Sequence, residues 1–134
     1  NNFSPVLQSL KRHELSIWKF AMIATKSFSI GMQTRVRQAR LLRQHLIGQD
    51  IPTIICGDLN DVSGSKTLHL LQGKSMRNAW WDKGVGRGTS LRVLGMPFRL
   101  DHVIYSEGIV IDDIYVGSSR MSDHYPLVCK FHLS

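Results

Sequence analysis

An amphipathic helix followed directly by a short apolar strand is the feature that most constrains the fold of this chain. Ala39, Leu42 and Leu46 recur at intervals of three and four residues, which predicts a helix over residues 33–47 with one apolar face. Residues 51–56 (IPTIIC) form an apolar, β-branched run that is typical of a strand buried on both faces. A helix that leads into a buried strand predicts an α/β fold.

The rest of the chain adds further strands and one weakly patterned segment. Alternating and β-branched residues predict three strands, at residues 98–105, 109–116 and 127–132. A short helix is expected at 64–71, and the glycines of 83–89 (KGVGRGT) predict a loop. We therefore expect an irregular or helical segment over residues 1–32, with a short helix near 6–23, and a second segment over 33–134. The second segment is expected to form one mixed β-sheet with flanking helices, an α/β (α+β) class.

Composition limits the function classes without choosing one. The chain has 134 residues and a net charge of +7, which favours an anionic partner such as nucleic acid. Cys56 and Cys129 do not form a CxxC pair, which argues against a disulfide scaffold and against a structural zinc site. The apolar stretch at 17–32 is interrupted by Lys19 and Lys26, so we expect no transmembrane segment. Because the first residue is not Met, we expect the chain to be part of a longer protein.

The first chemically informative cluster follows the predicted strand at 51–56. It reads Gly57-Asp58-Leu59-Asn60-Asp61, and residues two apart in extended backbone project to the same side. Asp58 and Asn60 would then point together, and a carboxylate beside an amide can orient a water and bind an oxyanion. An Asx turn or a helix cap explains the same residues equally well.

Two more polar clusters lie at predicted strand ends. Arg99-Leu100-Asp101-His102 interrupts an apolar strand, and a buried aspartate there needs a partner, either Arg99 or a backbone amide. By itself this cluster indicates a structural ion pair. Ser122-Asp123-His124-Tyr125-Pro126 precedes the last strand. Its aspartate could ligate a hard metal and its histidine could hold a proton, although alone it is an ordinary polar turn.

Taken together, the three clusters resemble the endonuclease/exonuclease/phosphatase superfamily of metal-dependent phosphoesterases. Their order, their spacing and the strands beside them agree with the C-terminal half of that family's domain over residues 33–134. The resemblance implies a two-sheet sandwich with helices on both outer faces. This chain would supply half of that four-layer α/β sandwich.

The resemblance also implies a role for each site residue. Asp58 corresponds to the carboxylate that orients or deprotonates the attacking water, and Asn60 to the amide that holds the scissile phosphate. Asp101 corresponds to the acid that pairs with the family's final histidine, here His124. Asp123 corresponds to an acid near the metal, and with Asp58 it would ligate Mg²⁺ or Mn²⁺. The implied function is divalent-metal-dependent hydrolysis of phosphoester bonds, as a nuclease or a phosphatase.

One departure from the family pattern affects activity and assembly. The N-terminal half of the family domain supplies a metal-binding glutamate, and the two glutamates here, Glu14 and Glu107, lie in unsuitable contexts. We therefore expect weak metal binding and a need for a missing N-terminal half. Apolar residues on both faces of the strands predict that a homodimer or the missing half covers one face. The alternative function is a non-catalytic module of the same fold that binds nucleic acid or a partner.

Overall fold

The computed structural model describes residues 31–48, 50–119 and 121–134. The chain divides into two compact units, Asn1–Arg35 and Val36–Ser134. Of the first unit only residues 31–35 are described, and they are helical. The short helix predicted near residues 6–23 lies outside the described residues.

The described elements follow the predicted pattern along most of the second unit. Residues 31–46 are helical (α1). The other elements are β1 (Ile54–Asp58), α2 (Lys66–Gln72), β2 (Met76–Asn78), α3 (Ala79–Lys83), β3 (Leu91–Val93), β4 (Met96–Phe98), β5 (Asp101–Ser106), β6 (Ile109–Val116) and β7 (Leu127–Leu133). None of the helices in these ranges is long and apolar enough to cross a membrane. Both cysteines are free thiols.

Two local predictions differ from the structure. The strand expected from residue 98 begins only at Asp101, because the residues before it form the β3–β4 hairpin. That hairpin turns through Leu94 and Gly95, which have positive φ angles of 50° and 81°. The sequence of residues 79–81 (AWW) predicts either core residues or the start of a strand. These residues begin α3, so the strand is wrong, but Ala79 and Trp80 are buried in the core. The side chain of Asn78 caps this helix, since its Oδ1 accepts a hydrogen bond of 3.0 Å from the Trp80 N–H.

The α/β class is confirmed, but the strands do not form one mixed sheet. The described residues contain three antiparallel sheets, in the orders β1-β5-β2, β3-β4 and β6-β7. A short turn joins β3 to β4, which pair as antiparallel neighbours, whereas the short turn between β5 and β6 joins strands of two different sheets. A parallel pair needs a crossover of a dozen residues or more. β1 and β2, which α2 separates in sequence, both pair with β5 rather than with each other.

The central strand β5 is covered on both faces. Val103 and Tyr105 pack on one side against α3 and β6, whereas Ile104 packs on the other side against side chains of α1 and α2. β1 is one of the two outer strands of the same sheet, and its second half, from Cys56 onward, is exposed. The expectation that residues 51–56 form a strand buried on both faces is therefore wrong for β1, and the strand that is covered on both faces is β5.

Candidate active site

The pairing of β1 with β5 places two carboxylates side by side. The two strands run antiparallel, and their register sets Asp58, at the end of β1, opposite Asp101, at the start of β5. Directly opposed residues of an antiparallel pair project to the same face of the sheet. The carboxylates therefore share one face at one end of the sheet.

His124 reaches these carboxylates from the loop that precedes β7. A single antiparallel bridge to Leu91 fixes its backbone. Its Nδ1 lies 2.7 Å from Asp101 Oδ2, and its Nε2 lies 3.9 Å from Asp58 Oδ2. An ionised carboxylate only accepts hydrogen bonds, so the Nδ1–H of His124 donates to Asp101. This bond fixes the orientation of the imidazole and turns its other nitrogen toward Asp58.

The carboxylates favour the charged form of this imidazole. The pKa of His124 is raised above its usual value, chiefly by the hydrogen bond to Asp101. The negative charges of Asp101, Asp58 and Asp123 act in the same direction, and burial opposes them. An imidazolium held in this way can stabilise negative charge on a bound group or donate a proton to it.

Asn60 lies beside the carboxylates through its backbone. Its N–H donates a hydrogen bond of 2.8 Å to Asp58 Oδ1, which is an Asx turn. The φ angle of Asn60 is 48°, a left-handed conformation that asparagine adopts more readily than most residues. Its side chain is exposed. An Asx turn at these residues is therefore compatible with a functional site. The turn fixes the Asp58 carboxylate and leaves the side-chain amide of Asn60 accessible.

Asp123 is adjacent to His124 in sequence but stands apart from the cluster. Its Oδ1 accepts a hydrogen bond of 3.1 Å from Ser122 Oγ, and that hydroxyl accepts one of 3.2 Å from the His124 N–H. The three residues whose ligand atoms lie within 4.8 Å of one another are Asp58, Asp101 and His124. The structure thus brings these three together and leaves Asp123 exposed at the rim.

Arg99 does not form the ion pair that the sequence suggested for Asp101. Its guanidinium donates to Ser63 Oγ, from Nε at 3.1 Å and from Nη2 at 2.6 Å. The same group lies over the Trp80 ring, 5.4 Å from the ring centroid. Burial lowers the pKa of Arg99. Arg99 therefore ties the loop after Asn60 to α3, and the partner of Asp101 is His124.

Sequence reasoning missed two buried residues that support the site. His102 is 2% exposed, and its Nε2 donates a hydrogen bond of 2.9 Å to the Asp61 carbonyl, which holds the loop after β1 against β5. Ser90 is fully buried where β3 begins. The position of His102 beside an aspartate in an apolar strand could have indicated a structural role near the site. Ser90 is a single serine after a glycine-rich loop, and nothing in the sequence pattern indicates its role.

An open cavity lies against His124. It measures about 290 Å³ and is lined by Asp101, Ser119, Met121, Ser122, His124, Tyr125, Pro126 and Leu127. A larger cavity of about 820 Å³ lies around the opposite end of β5, near Ser106, and none of the predicted site residues lines it. The smaller cavity gives a ligand direct access to the imidazole and to Asp101.

Of the three clustered residues Asp58, Asp101 and His124, only some are suited to bind a divalent cation that prefers oxygen ligands. Asp58 Oδ1 is held by the Asn60 N–H, and its Oδ2 faces the cluster. Carboxylate oxygens are the ligands that Mg²⁺ and Mn²⁺ favour. His124 and Asp101 instead bond to each other, so their mutual hydrogen bond competes with ligation. The chemistry of these residues therefore fits a cation held mainly by Asp58, with few protein ligands.

Comparison with known proteins identifies the same family that the sequence clusters resemble. The sequence model of the Endonuclease/Exonuclease/phosphatase family matches residues 19–124. A search of curated proteins gives no match. Among solved structures, a mannosyl-6-phosphatase from Bacteroides thetaiotaomicron superposes with a TM-score of 0.59 at 19% identity, over 75% of this chain and 46% of that one.

Two further solved structures have the same fold. The endonuclease/exonuclease/phosphatase from Bacteroides vulgatus gives a TM-score of 0.66 at 16% identity, over 76% of this chain and 45% of that chain. A functionally unknown conserved protein from Enterococcus faecalis gives 0.64 at 20% identity, over 77% of this chain and 46% of that chain. The chain thus spans less than half the length of these neighbours. With most of its sequence matched by the family model, this chain belongs to the Endonuclease/Exonuclease/phosphatase family, whose members are typically metal-dependent phosphoesterases.

Proposed function

We propose that this chain supplies the C-terminal part of the active site of a divalent-metal-dependent phosphoesterase. The observation that carries the proposal is the 2.7 Å bond between His124 and Asp101, with Asp58 in the same cluster. Phosphoester hydrolysis requires an oriented water and groups that stabilise charge on the phosphoryl oxygens. A carboxylate, an oriented imidazolium and an amide on one rim meet both requirements.

Each residue has a distinct proposed role. Asp58 orients or deprotonates the attacking water with Oδ2, because Oδ1 already accepts from the backbone of Asn60. The exposed amide of Asn60 donates to a phosphate oxygen. His124, held by Asp101, stabilises charge as it develops on the phosphoryl group. Asp101 acts on the reaction through His124, which it orients and keeps protonated.

A divalent cation completes the proposed chemistry. Asp58 is the residue that would mainly hold Mg²⁺ or Mn²⁺, and Asp123, at the rim of the site, is the second carboxylate that the family resemblance implies. The cation would supply Lewis acidity toward the phosphate. Two exposed carboxylates give few ligands, so binding by this chain alone is expected to be weak. The chain covers 44–46% of its structural neighbours, which supports a role for a separate N-terminal half.

The substrate is proposed to be a phosphate-containing molecule, and two classes are favoured by different observations. The net charge of +7 supports a polyanion such as nucleic acid, and hence phosphodiester cleavage. The shared fold of a mannosyl-6-phosphatase supports a sugar phosphate, and hence monoester cleavage. The alternative is a non-catalytic module whose basic surface binds nucleic acid.

Hydrolysis of a generic phosphodiester and a generic phosphomonoester tests the proposal. We expect activity that needs Mg²⁺ or Mn²⁺ and is low for this chain, and we expect His124→Ala to lower the rate by about 10²–10⁴-fold. His132→Ala is the matched control, because His132 also bonds to an aspartate, Asp112, at 3.0 Å but lies outside the site. The ratio of the two activities separates nuclease from phosphatase.

A binding measurement covers the case in which turnover is too slow to detect. Mn²⁺ broadens NMR signals of nearby residues, and we expect broadening at Asp58 before Asp112. Nucleic-acid binding without hydrolysis and without selective broadening would contradict the enzymatic proposal and favour the binding module.

A further inference from the structure

Ser90 lies at a junction of the backbone segments that carry two site residues. It is 0% exposed and immediately precedes β3. Its own N–H donates a hydrogen bond of 2.9 Å to the Phe98 carbonyl, which closes the base of the β3–β4 hairpin. Its backbone is therefore fixed by the hairpin and can serve as a rigid support for neighbouring segments.

The hydroxyl of Ser90 holds the start of β5. Ser90 Oγ accepts hydrogen bonds from the Leu100 N–H at 3.1 Å and from the Asp101 N–H at 3.3 Å. An N–H group that is shielded from water without an acceptor is destabilising, and this single oxygen satisfies two such donors. It also fixes the backbone of Asp101, which sets where that carboxylate points.

The carbonyl of Ser90 holds the loop on the other side of the site. It accepts a hydrogen bond of 2.7 Å from the Tyr125 N–H, and the next residue, Leu91, forms the bridge with His124. One buried residue is thus bonded directly to the backbone of Asp101 through its side chain and to the segment of His124 through its main chain.

We propose that Ser90 is a positioning residue that aligns the Asp101 carboxylate with the His124 imidazole. The two residues lie 23 positions apart in the chain, and their 2.7 Å bond needs both backbones in register. The Ser90 hydroxyl fixes the backbone of Asp101 by accepting a hydrogen bond from its N–H. The catalytic importance of this alignment rests on the proposed function, whereas the alignment itself does not.

Three variants isolate the hydroxyl. Ser90→Ala removes the acceptor but keeps the backbone bonds to Phe98 and Tyr125, and Ser90→Thr keeps the acceptor. Ser106→Ala is the matched control, because Ser106 Oγ accepts a hydrogen bond of 2.8 Å from the Thr53 N–H at the far end of the same strand. The control loses a comparable bond without touching the site.

The readout is the imidazole Nδ1–H proton of His124, observed by NMR in the whole 134-residue chain. A proton in a short bond to a carboxylate resonates far downfield and exchanges slowly with water. We expect this resonance in the unaltered chain, in Ser90→Thr and in Ser106→Ala. We expect its loss or a clear upfield shift in Ser90→Ala.

Several results would overturn the proposal. These are an absent resonance in the unaltered chain, an unchanged resonance in folded Ser90→Ala, or an equal change in Ser106→Ala. If Ser90→Ala does not fold, Ser90→Cys replaces it, since a thiol of similar size is a much weaker acceptor. Unfolding of both variants while Ser106→Ala folds would assign Ser90 to the fold as a whole and reject the positioning role.

Kinetics separate this proposal from the proposed function. Where the chain hydrolyses a phosphoester, Ser90→Ala should lower kcat by about 10–100-fold with little change in KM, and Ser90→Thr should restore it. A chain without hydrolytic activity would count against the proposed function. The resonance of His124 would still decide whether Ser90 aligns it.

Discussion

At the scale of single residues, two histidines near the site experience opposite electrostatic environments. His124 is partly exposed, and its hydrogen bond to Asp101 is the main cause that raises its pKa, with a further contribution from the nearby carboxylate charges. His102 is buried, with Nε2 bonded to a carbonyl and Nδ1 without a hydrogen-bond partner. Burial is the main cause that lowers the pKa of His102. One chain therefore contains a histidine suited to carrying charge and another suited to staying neutral.

The stabilising effect of the charged His124 should disappear as the pH rises. Its folded-state pKa lies above the unfolded value of about 6.5, so the folded chain binds the proton more tightly. We expect the difference in unfolding free energy between the unaltered chain and His124→Gln to be largest below that pH and to shrink as the pH rises through the folded-state pKa. Urea denaturation across this range measures it, and a difference that grows with pH would contradict the assignment.

His102 should show the opposite dependence. Its folded-state pKa lies below the unfolded value of about 6.5, so the unfolded chain binds the proton more tightly. We expect the stability difference between the unaltered chain and His102→Gln to be fully present above that pH and to diminish on acidification. A difference that is the same at pH 7.5 and pH 5 would show that His102 is not held neutral.

At the scale of elements, a glycine-rich loop is folded around one aromatic ring. The Trp80 Nε1–H of α3 donates a hydrogen bond of 3.2 Å to the Gly86 carbonyl. A Cβ atom at Gly88 would lie 2.5 Å from Trp80 Cε2, whereas at Gly86 it would meet nothing within 4 Å. The loop thus needs glycine at position 88 for close approach as well as for backbone conformation, and it leads directly into Ser90.

Gly86 and Gly88 provide a matched pair for testing this packing. Their φ angles are 73° and 63°, so alanine is strained at both. Only Gly88→Ala also forces a side-chain atom into the Trp80 ring. We expect Gly88→Ala to be less stable than Gly86→Ala by about 1–3 kcal/mol in urea denaturation. Equal losses of unfolding free energy in the two variants would mean that the Trp80 ring can shift to accommodate the new methyl group without destabilising the fold.

At the scale of the whole molecule, apolar surface remains uncovered at one edge of the second unit. β7 becomes exposed over its last residues, where Phe131 is 49% and Leu133 is 66% exposed. The register places them opposite Ile111 and Ile109, which are buried. Both faces of β5 are covered within the unit, so the expected uncovered face does not run across the sheet of β5, and the end of β7 is one of several exposed apolar surfaces. A homodimer or an N-terminal half that covers it stays a prediction.

Hydrophobic-dye binding tests this surface. We expect the chain to bind the dye and Phe131→Ser to reduce the signal. Val85→Ser is the control, since Val85 is 88% exposed on a loop. Light scattering over a dilution series reports whether copies of the chain cover the surface themselves. A stable monomer of intact mass that binds no dye would contradict the prediction.

The sequence by itself determined the elements and motifs that depend on local pattern. Periodicity located α1, β6 and β7, and the clusters around Asp58, Asp101 and His124 identified the family that the comparisons confirm. These features are local because the helix period, the strand alternation and the residue order in a motif are properties of short segments.

Tertiary structure alone decided how these segments meet. The β1–β5 register that opposes Asp58 and Asp101, the division into three sheets and the position of Ser90 all depend on contacts between distant parts of the chain. A register shift of one residue would turn every side chain of β1 to the other face. The sequence pattern therefore named the site residues, but only the pairing of strands across long loops placed them within reach of one another.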